Sequence, residues 1–543
     1  MEIIINLMGG LGLFLYGMNL MGDGLQKSAG AKLKRIIELL TSNVIMGVLV
    51  GMVVTMVIQS SSATTVMVVG FVNAGIMSLT QAIGVIMGAN IGTTITAQLV
   101  SLDVDFLAPV ALGIGIVIYM FSNKPKHKNI AEILIGFGIL FTGMDFMKEA
   151  VKPLAGYQGF TDMLLSFGHH PILGVLMGFA ITAIVQSSSA SMGMLLALAS
   201  EGLIPLSSAL PILYGENIGT CVTSLISSIG ASKNARRAAT MHLVFNIIGT
   251  LVFMFLLTKP ITMLVTHLDP NDVSRQIANS HTLFNVINVI LLLPFSKLIV
   301  KLTMKLVPEG EDEVEDTKVV RFIDERMITT PSIALSNTSK ETLRMGNKAK
   351  ASLENAMNGL LEKSEAKVKY VFEEEAKINK LQKTILDYLL KLSKTSLNHD
   401  CIEGIDKLFN TINDIERVGD HAINIAQRAK KLYDDNERFS DEALKEIGIM
   451  NNLTKNILEE LNVLDKEELH NIVEKVDVIE NSIDITTHEF AVNQLNRLRD
   501  KKCTVEHSAL YTETLIDFER IGDHGLNIAV AFNEIKDDLT KMA

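Results

Sequence analysis

Apolar residues run in long stretches over the first 307 positions and then give way to a helical alternation of apolar and charged positions. Within the first part, seven stretches are long enough to cross a hydrocarbon core of roughly 30 Å, which takes about 20 helical residues. They lie near 3–22, 79–100, 104–121, 130–147, 205–229, 241–258 and 282–300. Two further apolar stretches are cut by one polar tetrapeptide. Val44–Ile58 ends at Gln59-Ser60-Ser61-Ser62, and Ile172–Val185 ends at Gln186-Ser187-Ser188-Ser189. Each arm, at about 15 residues or roughly 22 Å of helix, is too short to cross. The pattern predicts two re-entrant helical hairpins with polar tips deep in the bilayer. Glu2 stands where a signal peptide would carry base, so Ile3–Met21 is expected to be a retained helix.

The expected fold is all-α. A polytopic membrane domain occupies 1–307, with repeats over about 1–103 and 130–230; a linker covers 308–335 and a helical domain 336–543. Charge supports the division. The chain is 48% hydrophobic, yet net charge changes from +4 up to Val307 to −15 beyond it. With returning hairpins, Lys27/Lys32/Lys34/Arg35, Lys124/Lys126/Lys128, Lys233/Arg236/Arg237 and Lys297/Lys301/Lys305 share one face. Asp103, Asp105, Asp162, Asp269 and Asp272 take the other, a positive-inside pattern that makes the acidic half cytosolic. The implied location is the cell membrane. Cys221, Cys401 and Cys503 are scattered and odd in number, which fits a reducing compartment rather than a disulfide framework.

The hairpins belong to a duplication at an offset of 127: besides the tetrapeptides, Gly88-Ala-Asn90-Ile-Gly92-Thr93 matches Gly215-Glu-Asn217-Ile-Gly219-Thr220, and Thr55 matches Thr182. One hairpin would enter from each side, so the repeats are inverted and a binding site is expected at their interface. A half-helix follows each tetrapeptide, at 62–75 and 189–200. Helix starts offer unpaired N–H groups to an anion, and adjacent hydroxyls offer donors to it and lone pairs to a hard cation. No Lys or Arg lies in the embedded parts of the repeats, so a buried anion needs co-bound cations. Glu216 either assists a cation site or carries a proton. Thr96, Thr223 and Ser78 are expected to serve as interhelical hydrogen-bond glue, and Asp145 to be interfacial.

The paired Gln-Ser-Ser-Ser motifs, each followed by Gly-x-Asn-Ile-Gly-Thr, resemble the type II sodium–phosphate cotransporter family over residues 1–307. The resemblance implies sodium-driven uptake of inorganic phosphate. Phosphate and sodium would be held by Gln59, Ser60, Ser61, Ser62, Thr64, Thr65, Asn90 and Thr93, and by Gln186, Ser187, Ser188, Ser189, Ser191, Asn217 and Thr220. Met192 replaces the hydroxyl of Thr65 in the second copy, so ion sites need not be symmetric.

The acidic half also repeats. Asp414-Ile-Glu416-Arg417-Val-Gly-Asp420-His421 matches Asp517-Phe-Glu519-Arg520-Ile-Gly-Asp523-His524, and Glu375 to Asn379 matches Glu480 to Asp484. Two three-helix bundles account for the length. Acids at i and i+4 share a helix face and serve equally as metal ligands or as partners of Arg417 and Arg520. His421 and His524 lie off that face and are expected to cap or pack. The doubled pattern resembles the PhoU family over about 340–540, which implies a di- or trivalent metal on Glu416, Asp420, Glu519, Asp523, Glu480, Asp484 and Glu375. Asn379 weakens the first pair.

Enzyme signatures are lacking: there is no phosphate-binding glycine–lysine loop, zinc-type His/Cys cluster or nucleophile elbow. A phosphate channel or exporter, or a phosphate-sensing membrane regulator, stays open as an alternative to uptake. The implied partners are phosphate, sodium and the bilayer, without nucleic acid; homo-oligomerisation is left open.

Overall fold

In the computed structural model, all residues are described except 1, 39–42, 103–105, 309–318, 396, 398, 462–470 and 541–543. The side chains of 30–38, 399–400 and 532–540 are also left aside. The expectations about Lys32, Lys34, Arg35, Asp103, Asp105 and most of the acidic linker fall outside the described residues. Among the described residues every regular element is helical. The chain divides into one unit of Met1–Glu313 with Asp324–Ser332, and another of Val314–Ile323 with Ile333–Ala543.

The first unit begins with α1 (Glu2–Glu38), α2 (Val44–Ile58), α3 (Ser61–Asn73), α4 (Leu79–Gly92) and α5 (Thr94–Val100). After α6 (Leu107–Phe121) the series recurs as α7 (Pro125–Val151), α8 (Gln158–His169), α9 (Pro171–Val185), α10 (Ser188–Ser200), α11 (Leu206–Gly219) and α12 (Cys221–Ser227). Then come α13 (Lys233–Val252), α14 (Thr258–Leu268), α15 (Val273–Leu292) and α16 (Ser296–Leu306). Among the described residues, five helical stretches are long and apolar enough to cross a membrane: 2–29, 79–100, 125–156, 233–268 and 273–306. Two of the seven expected spans differ. The one near 104–121 is a helix of 15 residues, and the one near 205–229 carries Pro211 within α11; it divides at Thr220 as 79–100 does at Thr93. Helices α8 and α9 meet at His170 with a bend of 112°.

Glycine explains the tightest packing. A Cβ on Gly51 would lie 2.1 Å from Val85 O, and one on Gly88 would lie 2.0 Å from Val48 O, so α2 and α4 touch backbone to backbone. Gly178 and Gly215 repeat this between α9 and α11, at 2.0 Å from Ile212 O and Val175 O. Helices α1 and α7 approach in the same way: Gly10 faces Met147, Gly17 faces Leu140 and Gly24 faces Ile133. As one number rises the other falls, so the first helices of the two repeats run antiparallel, the relation inversion requires.

The second unit contains α17 (Pro331–Glu362, which begins in the first unit), α18 (Glu365–Leu392), α19 (His399–Asp434), α20 (Asp441–Glu460), α21 (Ile472–Arg499) and α22 (Val505–Thr540). Val368 of α18 packs at Gly359 of α17, and Ile415 of α19 packs at Gly346. Helices α20, α21 and α22 form the second group, and α19 lies against α22. That seam is polar and reciprocal: His421 Nδ1 pairs with Asp517 Oδ1 at 2.6 Å, and His524 Nδ1 with Asp414 Oδ1 at 2.9 Å. The two histidines tie the repeats together rather than capping a helix.

Candidate functional site

The two tetrapeptides form the same turn. Gln59 (φ 58°) and Gln186 (φ 56°) close the helices α2 and α9 in the left-handed region, where residues other than glycine rarely sit. Each donates its backbone N–H to the Thr four residues earlier, Thr55 or Thr182, at 2.7 Å. Ser60 and Ser187 then become N-caps, with the hydroxyls accepting from Ala63 N and Ala190 N at 3.1 and 3.2 Å. The half-helices therefore start at Ser61 and Ser188, and part of the expected set of free N–H groups is consumed by the motif's own serines. Across each hairpin the same hydroxyl pair recurs: Thr55 donates to Thr64 and Thr182 to Ser191, both at 3.0 Å.

Beyond the hairpins the two copies differ. In the first copy Thr96 Oγ1 donates to Gln59 Oε1 at 3.1 Å, and Ser61 Oγ donates to Thr93 Oγ1 at 3.3 Å. Gln59 is buried, at 9% exposure. In the second copy the counterparts turn inward to their own helices: Thr223 Oγ1 donates to Thr220 O, and Thr220 Oγ1 to Glu216 O, each at 2.9 Å. Gln186 is exposed. Asn90 Nδ2 donates to Asn246 Oδ1 at 2.8 Å, whereas Asn217 Nδ2 donates to Leu213 O of its own helix at 2.9 Å. One half-site is thus drawn against its span and the other released from it.

The residues expected to bind the cargo divide accordingly. In the first copy Gln59 pairs with Thr96, Ser61 with Thr93, Thr64 with Thr55 and Asn90 with Asn246; Ser60 is the N-cap, and Ser62 accepts through its carbonyl from Thr65 at 3.1 Å. Ser187, Ser188, Ser189 and Ser191 surround the second turn, with Asn217 and Thr220 bonded back into α11. Thr96, expected to hydrogen-bond between helices, does so, and its partner is Gln59. Thr55, His242 and Asn246 were not singled out as site residues, although the recurrence of Thr55 as Thr182 signalled the first of them.

In the second unit, Glu416 and Glu480 lie among like charges. Burial and then Asp420 push the Glu416 carboxyl up, with Glu375 adding to this and Arg417 opposing it. Burial, Asp484 and Asp523 push up that of Glu480, with Asp477 and Glu519 adding to it. Arg417 and Arg520 reach Asp420 and Asp523 at 3.3 Å, but as exposed pairs. Glu375 accepts from Asn379 at 3.2 Å. Among the described residues, no three acids, histidines or cysteines converge as a group that could hold a metal ion.

Helical spans, a duplicated polar turn and a PhoU domain over 342–429 define a multi-pass phosphate-transport protein. The model for Na+/Pi-cotransporters matches twice, over 13–149 and 142–268, and the chain belongs to that family. It is 32% identical over 295 residues to the uncharacterised YqeW of Bacillus subtilis, covering 54% of this chain and 95% of that one. It is 24% identical over 549 residues to YjbB of Salmonella typhimurium, whose name gives it as a candidate inorganic phosphate export protein, with 98% of both chains covered. Sodium-dependent phosphate transport protein 2A of Rattus norvegicus is 29% identical over 202 residues, 35% of this chain and 31% of that one. PhoU from Pseudomonas aeruginosa aligns at 21% identity with a TM-score of 0.35, covering 38% of this chain and 98% of its own.

Proposed function

We propose that the chain moves inorganic phosphate with sodium by alternating access between its two inverted half-sites. The observation that carries this reading is the pair of left-handed Gln turns, alike within each hairpin and opposite in their bonds to the neighbouring span. Serine and threonine hydroxyls at each turn suit the oxygens of a phosphate and the coordination of a sodium ion alike. With no Lys or Arg in the embedded parts of the repeats, sodium supplies the charge that offsets a buried anion. In this reading the hairpins are re-entrant and the acidic unit lies in the cytosol. Metal on Glu375, Glu416 and Asp420, and on Glu480, Asp484, Glu519 and Asp523, would relieve the crowding of like charge that raises Glu416 and Glu480.

The preferred direction is uptake. Export is the second reading, and the relative named for export aligns over nearly the whole of both chains. Proteoliposomes with sodium, potassium or proton gradients of either sign, assayed with radiolabelled phosphate, test coupling and direction together. Concentrative movement driven by protons alone would defeat sodium coupling and place Glu216 at the centre of the mechanism.

A further inference from the structure

Helices α13 and α15 carry a match that stands outside the duplication at 127. His242-Leu-Val-Phe245-Asn246-Ile-Ile248 corresponds to His281-Thr-Leu-Phe284-Asn285-Val-Ile287, at an offset of 39. Their surroundings correspond as well. Helix α13 packs on α3 and α4 of the first repeat and α12 of the second; α15 packs on α10 and α11 of the second and α5 of the first. Those two sets are the repeat counterparts of one another, so α13 and α15 extend the inverted symmetry.

On α13 the element is engaged. Asn246 Oδ1 accepts from Asn90 Nδ2 at 2.8 Å, and His242 Nε2 lies 3.2 Å from Asn90 Oδ1. An amide oxygen only accepts, so Nε2 carries the proton. Both ends of the Asn90 amide are therefore held from one helix. The pair also reaches the second repeat: Asn246 Nδ2 donates to Cys221 Sγ at 3.3 Å, and His242 Nδ1 lies 3.3 Å from Ser224 Oγ.

On α15 the same residues are idle. Asn285 Nδ2 donates to His281 O at 3.0 Å, as Asn246 does to His242 O, so the local geometry is retained. Yet Asn285 Oδ1 and His281 Nδ1 are buried without a hydrogen-bond partner, as is Oε2 of Glu216 beside Asn217. Ala97 stands where the first element meets Ser224, so the hydroxyl that would face Nδ1 of the ring is missing. The natural partner of the other pair, Asn217, is bonded within its own helix. Buried polar groups are rarely left without partners, so an orphaned copy of an engaged element points to a second arrangement.

We propose that His242–Asn246 and His281–Asn285 are matched positioning pairs, each seating the asparagine of one Gly-x-Asn-Ile-Gly-Thr segment, with Asn90 seated and Asn217 released in this structure. The pairs exchange during the cycle: seating Asn217 on His281–Asn285 accompanies release of Asn90 from His242–Asn246. This rests on the alternating-access reading, and it assigns to α13 and α15 the task of biasing the two states.

Cys221 reports on the exchange because its thiol is buried against Asn246 and becomes reachable when that seat opens. The full chain carrying Cys401→Ser and Cys503→Ser is reconstituted in liposomes, and the rate of Cys221 modification by N-ethylmaleimide is measured. His242→Leu removes the engaged seat and should speed modification about tenfold. His281→Leu weakens only the alternative state through which the thiol is exposed, and should slow it by a similar factor. His242→Gln, which keeps a donor, should return part of the way to the parent rate; the Gln variants replace the Leu ones where folding fails. Opposite movement of the two variants is the expected result. Movement in the same direction, or no change, overturns the proposal and leaves both histidines as packing residues. Opposed labelling in liposomes that carry no phosphate would sink the transport reading while leaving the paired seats in place.

Discussion

Thr96 Oγ1 donates to Gln59 Oε1 at 3.1 Å, holding the side chain of a left-handed residue against the adjacent span. Its second-copy counterpart Thr223 donates instead to Thr220 O, leaving Gln186 exposed. Under alternating access, this contact between the turn and its span is the one that would exchange between the two copies. Thr96→Val keeps the shape and removes the donor, so phosphate turnover in proteoliposomes should fall about fivefold to tenfold, the worth of one buried hydrogen bond. Thr96→Ser should retain activity. Equal turnover in Thr96→Val and wild type would show that Gln59 needs no orientation.

The glycine contacts give a second expectation, one of folding. A Cβ at Gly88 or Gly215 would sit 2.0 Å from a backbone oxygen, which no side-chain movement relieves. Gly88→Ala and Gly215→Ala should each cost about 1–3 kcal/mol or more and reduce the yield of monodisperse protein in size-exclusion chromatography. Gly12, with nothing within 4 Å of an added Cβ, is the control, and Gly12→Ala should behave as wild type.

What could be read from the sequence follows from how local each signal was. The two polar turns were legible because Gln-Ser-Ser-Ser interrupts apolar helix at one place in each repeat, and a capping serine needs only its neighbours to act. The opposed states of the two copies were not legible: Thr96 and Thr223 are the same residue type, and only tertiary packing decides which one reaches a glutamine. The histidine elements on α13 and α15 escaped notice because His-x-x-Phe-Asn on an apolar helix carries no breaker or charge to mark it. Hydropathy does not register the break at Thr220 between Gly219 and Cys221, nor its counterpart at Thr93.

The seam of the second unit has its own pH signature. Burial alone would raise the Asp517 carboxyl, but hydrogen bonds from His421, Arg428 and Asn424 hold it below the usual carboxylate range. A depressed acid contributes stability that is present above its unfolded value and is lost as pH falls through its folded value. Thermal unfolding of the full chain in detergent, followed by circular dichroism, should therefore lose stability below about pH 4 in wild type. Asp517→Asn should melt lower at neutral pH and show a smaller further loss on acidification. An acid limb of the same size in both proteins would remove Asp517 from the account.

Glu416 and Glu480 shift in the other direction, and that difference separates the two roles open to these acids. A carboxyl raised by burial and by neighbouring acids binds its proton more tightly in the folded state. Its favourable contribution is present below the unfolded value and is lost as pH rises through the folded one, so at neutral pH the crowded carboxylates destabilise the fold. A divalent or trivalent cation takes the place of the missing proton and removes that cost, whereas Arg417 and Arg520, exposed at 3.3 Å from Asp420 and Asp523, relieve little of it. Under metal ligation, the full chain at pH 7 should melt higher with added Mg²⁺ or Mn²⁺ and lower with chelator. A variant carrying Glu416→Gln, Asp420→Asn, Glu480→Gln and Asp523→Asn should respond to neither, and without metal it should be at least as stable as wild type, because the crowding has been removed. The ion-pair role makes the opposite statement: chelator has no effect on wild type, and the fourfold variant is less stable because two arginines have lost their partners. Elemental analysis of the purified chain decides between a site filled during expression and one filled on titration. Wild type that carries no metal and melts alike with Mg²⁺, Mn²⁺ or chelator would reduce these acids to surface residues.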